Sequence, residues 1–204
     1  MRRPAFAAFA ALLLTLPLMV GCSSVGVGGS ALAVTSRDNT GSRLRGDFDT
    51  AYYAYDGENA VTVVLIAGPE DEPTQAAAIR LFWTPRAGKT PLSEDATNST
   101  VQYVVFADRR TEAGFFREVG VYSGAGFLYL DEKPGSAQLT GSLWQADLLL
   151  ADRSERFRDL LGLSRIAGSF TARRDEHKVN QLLHQLNTRV TQRLGYPRLV
   201  RAED

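Results

Sequence analysis

From Leu44 to Arg173 the apolar side chains recur mostly at every second position, and this period directs the chain into strands. A helix gathers its apolar residues at a spacing near 3.6, whereas a spacing of two gathers them on one face of a sheet. Phe48, Thr50 and Tyr52 alternate with Asp47 and Asp49, and Asp56-Gly57-Glu58-Asn59 then supplies a turn. The run 60–67 is nearly all apolar and β-branched, as in a central strand covered on both faces. Ile79, Leu81 and Trp83 form the next alternating set, followed by a long polar loop from Pro85 to Ser99. Val101, Tyr103, Val105 and Ala107 line one face of a further strand. Short strands are expected at Val119–Tyr122 and Phe127–Leu130, with Gly124-Ala125-Gly126 forming a turn or bulge between them. Trp144, Ala146, Leu148 and Leu150 make one more inward stripe, and Ile166, Gly168, Phe170 and Ala172 another.

Two segments depart from this period. Ser154 as N-cap, an apolar set at Phe157, Leu160 and Leu161, and Gly162 as a stop predict a short helix near 155–161. Asp175 opens a longer one. Val179, Leu182, Leu183, Leu186, Val190 and Leu194 share one stripe, and Gly195 with Pro197 ends it. The expected fold is mainly β: a single antiparallel β-sandwich or incomplete barrel, with a long C-terminal amphipathic helix packed on the sheet.

The first residues follow a different logic. Met1-Arg2-Arg3 is basic, and Ala5 to Val20 carries no charge. That stretch is short for a membrane span, which needs about 20 apolar residues. Leu18-Met19-Val20-Gly21-Cys22 resembles the lipobox of bacterial lipoproteins, with Met19 where that family usually has Leu. The resemblance implies a signal peptide over 1–21, cleavage before Cys22, and a diacylglycerol on the Cys22 sulfur. Ser23 resembles the residue that routes such proteins to the outer membrane of a Gram-negative host. The chain has one cysteine, so no internal disulfide competes for that sulfur. Residues 22–42 are rich in Gly and Ser and read as a lipidated cysteine with a flexible tether. Residues 43–204 form the domain, and they carry no family resemblance.

Charge and motif content narrow the function. The chain has 23 Lys and Arg against 23 Asp and Glu. Without residues 1–21 it loses Arg2 and Arg3, leaving 21 basic residues against 23 acidic ones. A nucleic-acid partner, which calls for a basic excess, is not expected. His177 and His184 lie seven residues apart on the last helix, about 10 Å along its axis, too far for one metal ion. Glu70-Asp71-Glu72 and Glu94-Asp95 read as solvated loop carboxylates. No G-x-S-x-G elbow, S-x-x-K pair or phosphate loop occurs. Catalytic, cofactor and metal residues are therefore expected to be none, and Cys22 is the one candidate site residue. The sequence points to a membrane-anchored envelope lipoprotein facing the periplasm, non-catalytic, with a structural, assembly or binding role and an envelope protein as partner. One alternative is a carrier whose hydrophobic ligand sits between sheet and helix, lined by residues such as Phe170, Trp144 and Leu186. A second is a carboxylate-dependent enzyme.

Overall fold

The computed structural model describes residues 30–38, 41–57, 60–83, 96–111 and 114–199. The alternating segments become nine strands of one sheet: β1 (Ser30–Ser36), β2 (Arg43–Phe48), β3 (Thr50–Tyr55), β4 (Val61–Ala67), β5 (Gln75–Leu81), β6 (Ser99–Thr111), β7 (Gly114–Leu130), β8 (Gln138–Arg153) and β9 (Ser164–Arg174). One helix, α1 (Glu176–Leu194), follows. The strands lie in the order β2-β1-β9-β3-β4-β5-β6-β7-β8, and β8 also pairs with β9, so the sheet closes into a ring. Every pairing is antiparallel except β3 with β9, which meet in parallel at Tyr52–Arg173 and Tyr53–Arg174.

β4 shows what the uninterrupted apolar run does. Val61, Val63 and Leu65 join one buried cluster with Leu32, Tyr53, Tyr103 and Phe170. Val64 and Ile66, pointing the opposite way, join a second cluster with Val104, Phe106, Val119 and Val121. That second cluster is completed by Val179, Leu182, Leu183, Leu186 and Val190 of α1. Of the six residues spaced for one helical stripe, five are buried and Leu194 is half-buried against the same cluster. The Asp175 side chain accepts the Lys178 N–H at 2.8 Å, and Gly195 closes the other end at φ 87°. Glu70, in the β4–β5 loop, pairs with Lys178 at 2.6 Å and ties that loop to the first turn of α1.

Four expectations need correction. The tether expected over 22–42 contains β1, which pairs with β2 on one side and β9 on the other. Leu32 and Val34 are buried in the first cluster, so the domain takes in residues from Ser30 rather than starting at 43. Small flanking residues hid a strand whose inward positions are Ser30, Leu32, Val34 and Ser36. The short helix near 155–161 is instead a run of turns and bends. Phe157 and Leu161 point into the first cluster while Leu160 is 67% exposed, and Asp159 accepts the N–H groups of Leu161 and Gly162. These local bonds compete with helical ones. β7 runs unbroken through Gly124-Ala125-Gly126, with a register shift against β8 between Ala125 and Phe127. Finally, Glu70 is ion-paired rather than simply solvated.

Candidate functional site

The surface feature with the clearest chemical character lies where β7 meets β8. The β8 pairing with β9 steps from Leu143–Gly168 to Ala146–Ile166, so Trp144 and Gln145 together oppose one residue of β9. Gln145 absorbs the extra residue at φ 48°, the one non-glycine with positive φ among the described residues. The bulge resets the alternation. Leu143 and Ala146 both point inward, while Trp144 and Gln145 both face solvent. The inward stripe expected from Trp144 onward therefore begins at Ala146, and Trp144 is 59% exposed.

Trp144 does not stand alone. Its ring meets Tyr129 edge-on at 6.0 Å, Tyr129 meets Phe127 at 4.6 Å, and Phe127 meets Trp83 edge-on at 6.0 Å. Phe127 and Tyr129 alternate with Leu128, which takes the inner face. Trp83 follows β5 and is held by its indole N–H to the Thr97 carbonyl at 3.1 Å. Asn98 steadies the same rim by donating to the Leu128 carbonyl and accepting the Leu128 N–H. Both tryptophans of the chain belong to this cluster. Edge-to-face pairs of this kind contribute about 0.5–1.5 kcal/mol each beyond area burial. Yet Trp144 and Tyr129 keep much of their surface in water, which burial alone does not explain.

A charged group borders the rings. Arg165 donates to Asp147 at 2.8 Å, and Arg37 donates to its other carboxylate oxygen at 2.9 Å. The Arg165 hydrogen bond, with Arg37 adding to it, holds the Asp147 carboxyl below its ordinary value. Two guanidiniums against one carboxylate leave the group one positive charge in excess, with several N–H donors unused. Phe127, Trp144, Asp147, Arg165, Ala96 and Thr97 line an open cleft of about 640 Å³.

The remaining candidates fall elsewhere. Phe170 lies in the first buried cluster, Leu186 in the second, and Trp144 on the outer surface, so the three do not line one cavity. A separate cavity of about 320 Å³ does sit at the edge of α1, bordered by Thr62, Ala78, Arg80, Gln102, Ser123 and Leu183. Inside the ring, Tyr122 donates to Asp159 at 2.7 Å and Tyr103 donates to Gln75 at 2.6 Å. Burial, with Asp159 nearby for Tyr122, pushes both phenols well above their ordinary value. Asp159 feels an opposing effect from burial but is held below 3.8 by Tyr122 and the Gly162 and Leu161 N–H groups. That carboxylate is occupied in holding the 155–163 turn. His177 and His184 are exposed. Among the described residues no group of three His, Cys, Asp or Glu could hold a metal ion, and no helix is long and apolar enough to cross a membrane. Cys22 lies outside the described residues.

Sequence reading missed the aromatic cluster because its assembly depends on the bulge at Gln145. The available signal was three aromatics at Phe127, Tyr129 and Trp144 in two successive alternating segments, but period two assigned Trp144 to the core. No protein-family model, no curated protein and no solved structure matches the chain.

Proposed function

We propose that this chain is a lipid-anchored protein of the bacterial cell envelope, held to the outer membrane through Cys22 and facing the periplasm, with a binding role rather than a catalytic one. The observation that carries the anchoring is Leu18-Met19-Val20-Gly21-Cys22 after a basic start and an uncharged run, with the lone cysteine in the lipobox position. One acyl chain holds a protein only marginally, so the two or three chains of a lipoprotein cysteine are what make the anchor stable. The binding role is supported by the exposed Trp144–Tyr129 pair beside the Asp147 ion pairs. The ring of strands with α1 on its outer face is read as a closed barrel, a rigid frame for that surface.

Cys22→Ser tests the anchor. The variant should move from the membrane to the soluble fraction and lose incorporation of labelled palmitate. A variant that stays membrane-bound overturns the reading.

A second reading draws on the cavity beside α1. Arg80 borders it with no ion pair or side-chain hydrogen bond among the described residues, and Ala78 and Leu183 give it an apolar side. Such a site suits a short-chain anionic amphiphile. Native mass spectrometry of the protein mixed with decanoate should show a one-to-one adduct lost in Arg80→Gln; absence of any adduct removes this reading.

A further inference from the structure

We infer that the cleft between Trp144 and Arg165 is a saccharide-binding site. Sugars present two kinds of surface at once. Their ring C–H groups form an apolar face, and their hydroxyls ring the edge with donors and acceptors. A matching site needs an exposed aromatic ring beside planar polar side chains whose orientation is fixed in advance.

Each requirement is met by named residues. Trp144 supplies the ring and is 59% exposed; Tyr129, 43% exposed, stands edge-on beside it and braces it. The brace continues through Phe127 to Trp83, so the indole does not depend on a single contact for its position. Arg165 is held through Nε to Asp147 at 2.8 Å, and Arg37 holds the other side of that carboxylate at 2.9 Å. This fixes the guanidinium planes and leaves outward N–H groups for hydroxyls. Gln145 adds an exposed side chain next to Trp144. Its φ of 48° is a backbone conformation a non-glycine adopts at a cost, and it lets Gln145 face solvent beside Trp144 between inward Leu143 and Ala146. The cleft of about 640 Å³ has room for one or two sugar rings. An unbraced hydrophobic patch would suit an apolar protein partner. Ion-paired charges flanking a braced ring suit a ligand that is itself half apolar and half polar.

The inference deepens the envelope reading and rests on it only for the choice of probes. The full-length protein in detergent would be tested against isolated peptidoglycan sacculi, lipopolysaccharide, and soluble malto-, cello- and chitohexaose. Binding would be read by co-sedimentation for sacculi and by isothermal titration calorimetry for lipopolysaccharide and the oligosaccharides, so that variants lacking Trp144 are measured on the same scale as the parent. The expected result is saturable binding of at least one probe, weakened about tenfold or more in Trp144→Ala and in Arg165→Gln, and largely restored in Trp144→Phe. Leu160→Ser, a change at a leucine outside the cluster, should bind as the parent does. Circular dichroism of each variant separates lost binding from lost folding. Sacculi, glycolipid or free oligosaccharide as the active probe identifies the source of the sugar. No binding of any probe, or undiminished binding in folded Trp144→Ala, overturns the inference. A protein that binds sugar but is released from membranes without lipid sinks the anchoring reading and leaves this one standing.

Discussion

Single residues set the tightest constraints where β7 passes β8. A Cβ on Gly124 would lie 1.7 Å from the Asp147 carbonyl oxygen, and one on Gly126 would lie 2.4 Å from the Ala146 Cβ. The first obstacle is backbone and cannot rotate away, so Gly124→Ala should destabilise by on the order of 3 kcal/mol, read from urea melts. The same substitution should disturb the neighbouring Asp147 pairs. Gln145→Gly should act the opposite way, relieving about 1 kcal/mol of left-handed strain and raising the melting temperature by roughly 2–4 °C. Asp159 carries a pH dependence. Its folded value lies below the unfolded 3.8, so its stabilising contribution is complete above the unfolded value and is lost as pH falls through the lower folded one. Asp159→Asn should therefore be less stable than the parent at neutral pH, with the difference shrinking below about pH 4 in acid titrations followed by circular dichroism.

At the level of elements, α1 was the most legible part of the chain. Asp175, the Val179–Val190 spacing and Gly195 each act locally, and each does in the fold what its spacing implied. Asp175→Ala should cost about 1 kcal/mol by freeing the Lys178 N–H. Leu182→Ala should cost about 2–5 kcal/mol, because Leu182 is fully buried in the cluster between α1 and the sheet. Both are read from equilibrium unfolding. β4 was equally legible, since an unbroken β-branched run has one consistent use. The 155–161 segment was not. Its apolar spacing fits a helix, but Asp159 bonds to backbone two and three residues on, and a long-range bond from Tyr122 locks that turn. The stripe expected from Trp144 holds from Ala146 onward and fails at Trp144 alone, for a similar reason. A bulge shifts every later side chain to the other face, and nothing at Gln145 itself announces a positive φ.

For the whole molecule, closure of the ring depends on pairings distant in sequence. β9 bonds to β8 along one edge and shares its other edge between β1 and β3. Residues near the start of the described chain thus complete a sheet that its last strand closes. A chain begun at Arg43 should lack cooperative unfolding, because Leu32 and Val34 leave the core and β9 loses its partner over Ser164–Ser169. A chain begun at Ser30 should keep it; thermal melts of the two decide. Such long-range pairing also implies folding in the millisecond-to-second range rather than faster. The alternation of period two announced the sheet, but the order of its strands was not legible, because the pattern says which face is buried and not which strand lies alongside.

The position of β1 has a further effect on geography. With lipid on Cys22, only eight Cα steps separate the bilayer anchor from Ser30, a leash of at most about 28 Å. Ser30 accepts the Thr171 N–H near the middle of β9, whereas Thr35 pairs with Arg165 toward the start of that strand. The leash therefore enters the domain at the start of β1, while Arg37 and Arg165 lie about five residues further along the β1–β9 pair. On the proposed anchor, the protein can survey only a thin layer beneath its own membrane.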